Sequence, residues 1–287
     1  MSLPAVFKRR QEADESNTSV DTSFLRFEPE EHYHAQSVHF LSSHKLANFR
    51  RNPLLFYKKE AGLVPADSDS PTYLLGRAAH KRILEGKQAY ESCYAFGGPI
   101  NPKTYKPFGS TTKAFQEWTE KIGRPVLTDD QAILIEEMNT AVHAQLHAVA
   151  LLQAGVPEGV VRVRYGDTEC QGRIDWFNPH RGIVDLKTCE NLDWFAGDAR
   201  SYGYVHQLAF YRALVEQATG RTVPVHMIAV EKREPFRCGV WHVTDVVLDK
   251  AREENEVAMA RLRECRRSGL WPTGYENILS IDYLYLN

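Results

Sequence analysis

The stretch QGRIDWFNPHRGIVDLKT, residues 171–188, constrains the fold more than any other part of the chain. Two short runs rich in β-branched and aromatic residues flank the turn Asn178–Gly182, so the segment reads as an antiparallel hairpin. Side chains alternate across a strand, so Asp185 and Lys187 share one face. A hairpin centred on His180 sets Asp175 directly across from Asp185, with Cβ atoms about 5 Å apart.

Like charges facing each other destabilise a sheet. A buried carboxylate pair is costly unless a cation or proton neutralises it. A hard divalent cation with oxygen ligands answers that need, and Lys187 beside it can steer a water or stabilise charge on a phosphate. A lone Asp-x-Lys is common, and the plain alternative is a solvent-facing hairpin. The apolar neighbours Ile174, Trp176, Ile183, Val184 and Leu186 argue for a buried sheet instead.

Around the hairpin, periodicity predicts helices at Ser42–Glu60 (interrupted at Pro53), Thr72–Glu85, Thr111–Ile122 and Asp129–Leu152. Asp67–Pro71 reads as a turn and Gly97–Gly109 as a long loop. From Pro157 the pattern changes. Val160–Tyr165, Thr168–Phe177 and Gly182–Thr188 read as a β-meander, Tyr204–Thr219 as a helix, Val223–Val230 and Cys238–Val243 as strands, and Val246–Ser268 as a closing helix. The expected architecture is one α/β domain, residues 24–287, with a central mixed sheet flanked by helices. Residues 1–23 are polar and are expected to form a loose tail.

Composition excludes several classes. The chain has 287 residues, 43% hydrophobic and 25% charged, as in ordinary globular proteins. No apolar run approaches the roughly 20 residues that span a bilayer, and the N-terminus lacks the apolar stretch of a signal peptide, so a cytoplasmic location away from membranes is expected. Cys93, Cys170, Cys189, Cys238 and Cys265 are widely spaced, which argues against a disulfide framework or a cysteine metal site. The net charge of −2 requires any DNA-binding face to be local. Candidate patches are Arg50, Arg51, Lys58 and Lys59; Lys103, Lys106 and Lys113; and Arg261, Arg263, Arg266 and Arg267.

Two further features fit the hairpin. Gln207 and Tyr211 are four apart on one helix face, where both can hydrogen-bond a phosphate or a metal-bound water; the alternative is a core tyrosine beside a surface glutamine. His80, in GRAAHKRILEG, can complete a carboxylate-rich metal site; a lone histidine is more often structural.

Taken in order, Gly76-x-x-x-His80, Gly172-Arg173-Ile174-Asp175, Asp185-Leu186-Lys187 and Gln207-x-x-x-Tyr211 resemble the RecB-type branch of the PD-(D/E)XK nucleases. The segment SVHFLSSHKLANFRRNPLLFYKKEAG is similar to the start of RecE-like (exonuclease VIII-like) exonuclease domains of phage and prophage recombination. The resemblance covers roughly residues 35–275. It implies a restriction-endonuclease-like core and one or two Mg²⁺ or Mn²⁺ ions bound by Asp175, Asp185, the Leu186 carbonyl and His80. It gives Lys187 the attacking water, and gives Gln207 and Tyr211 the support of the site and the DNA strand. Glu158 is a further candidate acidic contact. Some relatives carry an iron–sulfur cluster with a cysteine before the first-helix proline. Here Asn52 precedes Pro53 and Cys265 stands alone near the C-terminus, so no cluster is expected.

The implied activity is 5′→3′ degradation of linear double-stranded DNA from its ends. The implied assembly is a ring-shaped homo-oligomer, a trimer or tetramer, working with a single-strand annealing recombinase. The rival readings are an endonuclease of restriction or repair, a non-catalytic DNA-binding subunit, and an unrelated α/β enzyme with an incidental Asp-x-Lys.

Overall fold

The computed structural model describes residues 21–65, 71–109 and 111–278. The expected tail, apart from Asp21–Ser23, and the expected turn at Asp67–Pro71, apart from Pro71, lie outside these residues.

The N-terminal part is mostly helical: α1 (Glu30–Ala35), α2 (Ser43–Arg51), α3 (Pro53–Glu60), α4 (Pro71–Leu84), α5 (Gly86–Cys93), β1 (Ala95–Phe96), α6 (Lys113–Ile122), β2 (Val126–Leu127), α7 (Asp129–Ala144) and α8 (Leu146–Leu152). The remainder is β3 (Val156–Tyr165), β4 (Thr168–Asn178), β5 (Gly182–Cys189), α9 (Phe195–Ser201), α10 (Tyr204–Thr219), β6 (Val225–Glu231), β7 (Cys238–His242) and α11 (Asp245–Ser268). Residues 97–109 carry no helix or strand, as their composition implies.

Local chemistry sets several boundaries. The Ser42 side chain accepts from the Lys45 amide at 3.3 Å and opens α2. Asn52 is extended, accepts from the Leu55 amide at 2.9 Å and opens α3, with Pro53 at the first helical position. The helix expected over Asp129–Leu152 is two helices. Gln145 leaves the helical region (φ −85°, ψ 112°) and its side chain accepts from the Ala148 amide at 2.9 Å, capping α8. No proline or glycine marks that break, so periodicity reads straight through it.

The five-stranded sheet has the order β3-β4-β5-β6-β7. β3, β4 and β5 pair antiparallel, β5 and β6 parallel, and β6 and β7 antiparallel. Alternate residues of β5 enter two separate cores. Ile183 and Cys189 pack with Leu208, Leu214 and Val225 on the α10 side, while Val184 and Leu186 pack with Ala79, Met138 and Val142 on the α4 side. Helices therefore cover both faces of the strand, which explains its nearly continuous apolar run.

Two glycines are required by contact. A Cβ on Gly182 (φ +78°) would lie 2.1 Å from the Pro224 carbonyl oxygen, which accepts the Ile183 amide at 3.0 Å. A Cβ on Gly172 would lie 2.8 Å from the Tyr211 ring, so its absence lets α10 close onto β4.

Candidate active site

The hairpin has the register expected from sequence: Asn178 opposes Gly182, Phe177 opposes Ile183 and Trp176 opposes Val184. One step further, Asp175 and Asp185 do not continue the ladder. Asp175 Oδ2 instead accepts the Leu186 amide at 3.0 Å. The expected direct pairing is thus corrected: the two carboxylates share a level, but the strands part between them. From Ile183 onward β5 pairs with β6, and Asp185 opposes Met227 there.

Alternation also slips along β4 here. Ile174 and Phe177 enter the same core although they are three positions apart, an odd step that regular alternation sends to opposite faces. Asp175 lies within that slip, where a polar side chain need not displace either apolar neighbour.

Asp185 is buried, at 1% exposure. Lys187 Nζ lies 2.8 Å from Asp185 Oδ2 and donates to Gln207 Oε1 at 3.4 Å. Gln207 Nε2 donates to the Tyr211 hydroxyl at 3.0 Å. Lys187 Nζ also stands 4.8 Å from the centre of the Tyr204 ring. One face of α10 therefore holds the lysine through Tyr204, Gln207 and Tyr211. His80, on α4, approaches from the opposite side: its Nδ1 is 3.5 Å from Asp175 Oδ2, and its ring engages the Leu186 backbone.

Glu158, on β3, belongs to the same cluster. It adopts φ +57°, and its carboxylate is 2.7 Å from Arg173 Nε. Arg173 is also 3.6 Å from Glu30.

Burial controls the ionisation of the centre. It pushes Asp185 up to about 6 against the opposing pull of Lys187, and it raises Asp175. Burial and then the Asp175 carboxylate push Glu158 up to about 8. Burial, helped by Lys187, pushes His80 down to about 4, leaving a neutral imidazole at neutral pH. The Lys187 ammonium is held above its ordinary value by the two aspartates, which outweigh its burial.

A cleft of about 470 Å³ opens onto this set and is lined by His80, Glu158, Asp175, Lys187, Gln207 and Tyr211. His44 and Tyr204 line it as well. No role was expected for either from sequence, although Tyr204 precedes Gln207 by three residues and Tyr211 by seven, a same-face spacing on a helix.

Among the described residues, no three His, Cys, Asp or Glu side chains converge into a ready-made metal cage. The donor chemistry nevertheless suits a divalent ion. Buried Asp185 has Lys187 as its charged partner, 2.8 Å from Oδ2. Two buried carboxylates sharing one ammonium are a strong cation acceptor, and the neutral His80 imidazole is the ligating form.

Several of the basic residues considered for DNA contact are engaged locally. Arg50 bonds Asn255, His206 and Glu254, Arg263 bonds the Gly166 carbonyl, and Arg267 pairs with Glu264. The cysteines are all free thiols, and Cys170, Cys189 and Cys265 are buried. No described helix is long and apolar enough to cross a membrane.

Comparison with known proteins bears on the fold. No curated protein matches the chain. The fold resembles the crystal structure of a candidate exonuclease from Eubacterium rectale, with a TM-score of 0.64 and 16% identity, covering 90% of this chain and 97% of that one. Residues 42–283 match the family model described as PDDEXK-like domain of unknown function (DUF3799). With a mixed central sheet flanked by helices, the chain belongs to that PDDEXK-like family and has the PD-(D/E)XK nuclease fold.

Proposed function

We propose that this protein is a divalent-metal-dependent DNA exonuclease of RecE-like type. It hydrolyses phosphodiester bonds of linear double-stranded DNA from the ends, 5′→3′, and leaves single strands for recombination. The observation that carries the reading is the pair of buried carboxylates, Asp185 and Asp175, set with the single ammonium of Lys187, 2.8 Å from Asp185, behind an open cleft. Such a group is costly to fold unless something of opposite charge uses it.

Asp175, Asp185, the Leu186 carbonyl and His80 would hold Mg²⁺ or Mn²⁺, as one or two ions. The bound metal lowers the pKa of water and neutralises charge on the phosphate. Lys187, fixed by Gln207 and by the Tyr204 ring, orients the attacking water and meets the charge growing on the phosphate oxygens. Gln207 and Tyr211 form the wall against which the strand is placed.

By the same reading the protein acts in the cytoplasm, as a ring-shaped homo-oligomer of three or four copies, with a single-strand annealing recombinase as partner. The test is a time course with Mg²⁺ on end-labelled linear duplex beside closed circular DNA, with 5′-phosphate and 5′-hydroxyl ends compared. Mononucleotide release from linear DNA alone supports the reading; nicking of closed circles overturns the exonuclease part of it.

A further inference from the structure

Residues 92–116 contain Lys103, Lys106 and Lys113 and no Asp or Glu, in a chain whose net charge is −2. The middle of this stretch is closed on itself. The Phe108 amide donates to the Pro99 carbonyl at 2.9 Å, Ile100 and Pro107 form an antiparallel bridge, and the Asn101 amide donates to the Lys106 carbonyl at 2.8 Å. At the tip, the Tyr105 amide donates to the Asn101 carbonyl at 2.8 Å, and the Asn101 side chain accepts the Lys103 amide at 2.9 Å. Pro99, Pro102 and Pro107 each fix a backbone angle within it. Residues 99–108 are therefore a short, stiff finger rather than a slack connection.

The finger is rooted beside the active cleft. The chain leaves at β1 and returns, after α6, at β2, and the two strands pair in parallel. Tyr94, next to β1, is buried in the α4-side core and lines both the active cleft and an adjoining groove of about 910 Å³. Pro125, next to β2, lines the same groove, and Leu127 joins the same core. The groove itself is a poor bed for phosphates, since five glutamates line it against three Lys or Arg residues. A DNA strand passing beyond the cleft on this side needs its cations from the rim.

The tip sets an aromatic ring where folding has no use for it. Tyr105 has φ +55°, a region that glycine or asparagine usually fills in a turn. It is 84% exposed, and its side chain has no ring contact or hydrogen bond among the described residues. A bulky residue held there against its backbone preference points to a ligand. Lys103 and Lys106 stand on either side, both exposed, and neither side chain has an ion pair or hydrogen bond among the described residues. Arg50, Arg263 and Arg267, by contrast, are held by local partners. A base of any identity can stack on an aromatic ring once it is unpaired, while cations beside the ring meet the phosphates. In a duplex those base faces are covered.

We propose that residues 99–108 bind single-stranded DNA at the rim of the cleft, with Tyr105 stacked on a base and Lys103 and Lys106 on the neighbouring phosphates. The proposal rests on the nuclease reading above and gives a place to the strand that such a reaction leaves unpaired.

The experiment is fluorescence anisotropy of the full chain with labelled oligothymidylate and with labelled blunt duplex. Both carry phosphorothioate linkages, and Ca²⁺ is the divalent ion. Wild type, Tyr105→Gly, Tyr105→Phe and the double variant Lys103→Gln/Lys106→Gln are compared, with thermal unfolding of each. Glycine accepts the left-handed backbone, so Tyr105→Gly removes the ring without straining the turn and should melt no lower than wild type. Its Kd for oligothymidylate should rise at least about five-fold, the low end for losing one stacked base, with its Kd for duplex kept within about two-fold. Tyr105→Phe keeps the ring and should bind as wild type does. The lysine variant should flatten the slope of log K against log salt by about 1.4, the loss of two single-strand phosphate contacts. An unaltered oligothymidylate Kd in Tyr105→Gly, an equal loss on duplex, an unaltered salt slope in the lysine variant, or a Tm lowered by Tyr105→Gly overturns the role of the finger alone. Binding of neither DNA by wild type overturns the nuclease reading beneath it.

Discussion

The Leu186 amide donates to Asp175 Oδ2 at 3.0 Å, so the backbone of the strand carrying one acidic residue holds the side chain of the other. Where sheet pairing between β4 and β5 stops, this bond replaces it. The two aspartates are fixed relative to each other although the strands separate between them. Precision of this kind is what a reacting centre needs from its scaffold.

Lys187 follows directly from that arrangement. Lys187→Ala removes the ammonium near Asp185 and the link to Gln207 while leaving the apolar residues of β5 in place. Mg²⁺-dependent hydrolysis should fall by about 10²–10⁴-fold, the range for a positioned proton-transfer or charge-stabilising group. Circular dichroism should show the wild-type secondary structure. Digestion at the wild-type rate would remove Lys187 from the chemistry.

His80 contacts Asp175 and the Leu186 backbone from α4. His80→Ala should raise the Mg²⁺ concentration for half-maximal activity at least about 10–100-fold, the loss already seen when a group that merely orients a metal ligand is removed. Mg²⁺ titrations of initial rate decide this. An unaltered curve would return His80 to packing.

Calcium should support DNA binding but little cleavage. Its coordination is larger and more flexible than that of magnesium, and it places water less strictly. Fluorescence anisotropy with labelled duplex, beside a cleavage assay, separates the two steps. Equal cleavage rates in Ca²⁺ and Mg²⁺ would refute the proposed chemistry.

Gly172→Ala tests the seating of α10. The added methyl meets the Tyr211 ring at 2.8 Å, and Tyr211 is the partner of Gln207. Overpacking of this kind costs about 1–3 kcal/mol, a Tm loss of roughly 2–12 °C for a chain of this size. Activity should fall with it, because Gln207 steadies Lys187. Calorimetry with a wild-type Tm would show that the helix moves aside freely.

Glu231 predicts an acid limb of stability set by an ion pair outside the catalytic set. The Arg237 hydrogen bonds, helped by the Leu192 amide, hold its carboxyl at about 2, below the ordinary 4.5. The folded state thus favours the charged form. Its contribution is complete above pH 4.5 and disappears as pH falls toward 2. Glu231→Gln should lower stability at pH 7 and flatten the Tm curve across that window. A variant with the wild-type slope between pH 4.5 and 2 would assign the acid limb to other groups.

Much of this could be read from the chain because the informative features are local. The turn at Asn178–Gly182 sets the hairpin register, and the register sets Asp175 and Asp185 level with each other. The Tyr204–Thr219 helix has the boundaries that its periodicity implies. Where the reading missed, tertiary contacts had decided the outcome. The break at Gln145 depends on a side-chain cap with no strong sequence signature. α1, α5 and α9 are short, and a short helix owes its existence mainly to what it packs against. The parting of the strands at Asp175 depends on the parallel partner β6, which is distant in sequence. His44 comes to the cleft from a helix some 130 residues earlier than the hairpin, and no spacing rule connects them.

The division of β5 between two cores limits how this centre can diversify. Inserting or deleting one residue there would exchange the faces of Asp185 and Leu186, taking the carboxylate out of the active centre and putting an apolar side chain into it. Descendants of such a gene can therefore alter the strand only by substitution in place. Novelty in what the enzyme accepts must come from the periphery, where the stretch at residues 97–109 can lengthen or shorten without disturbing the register beneath.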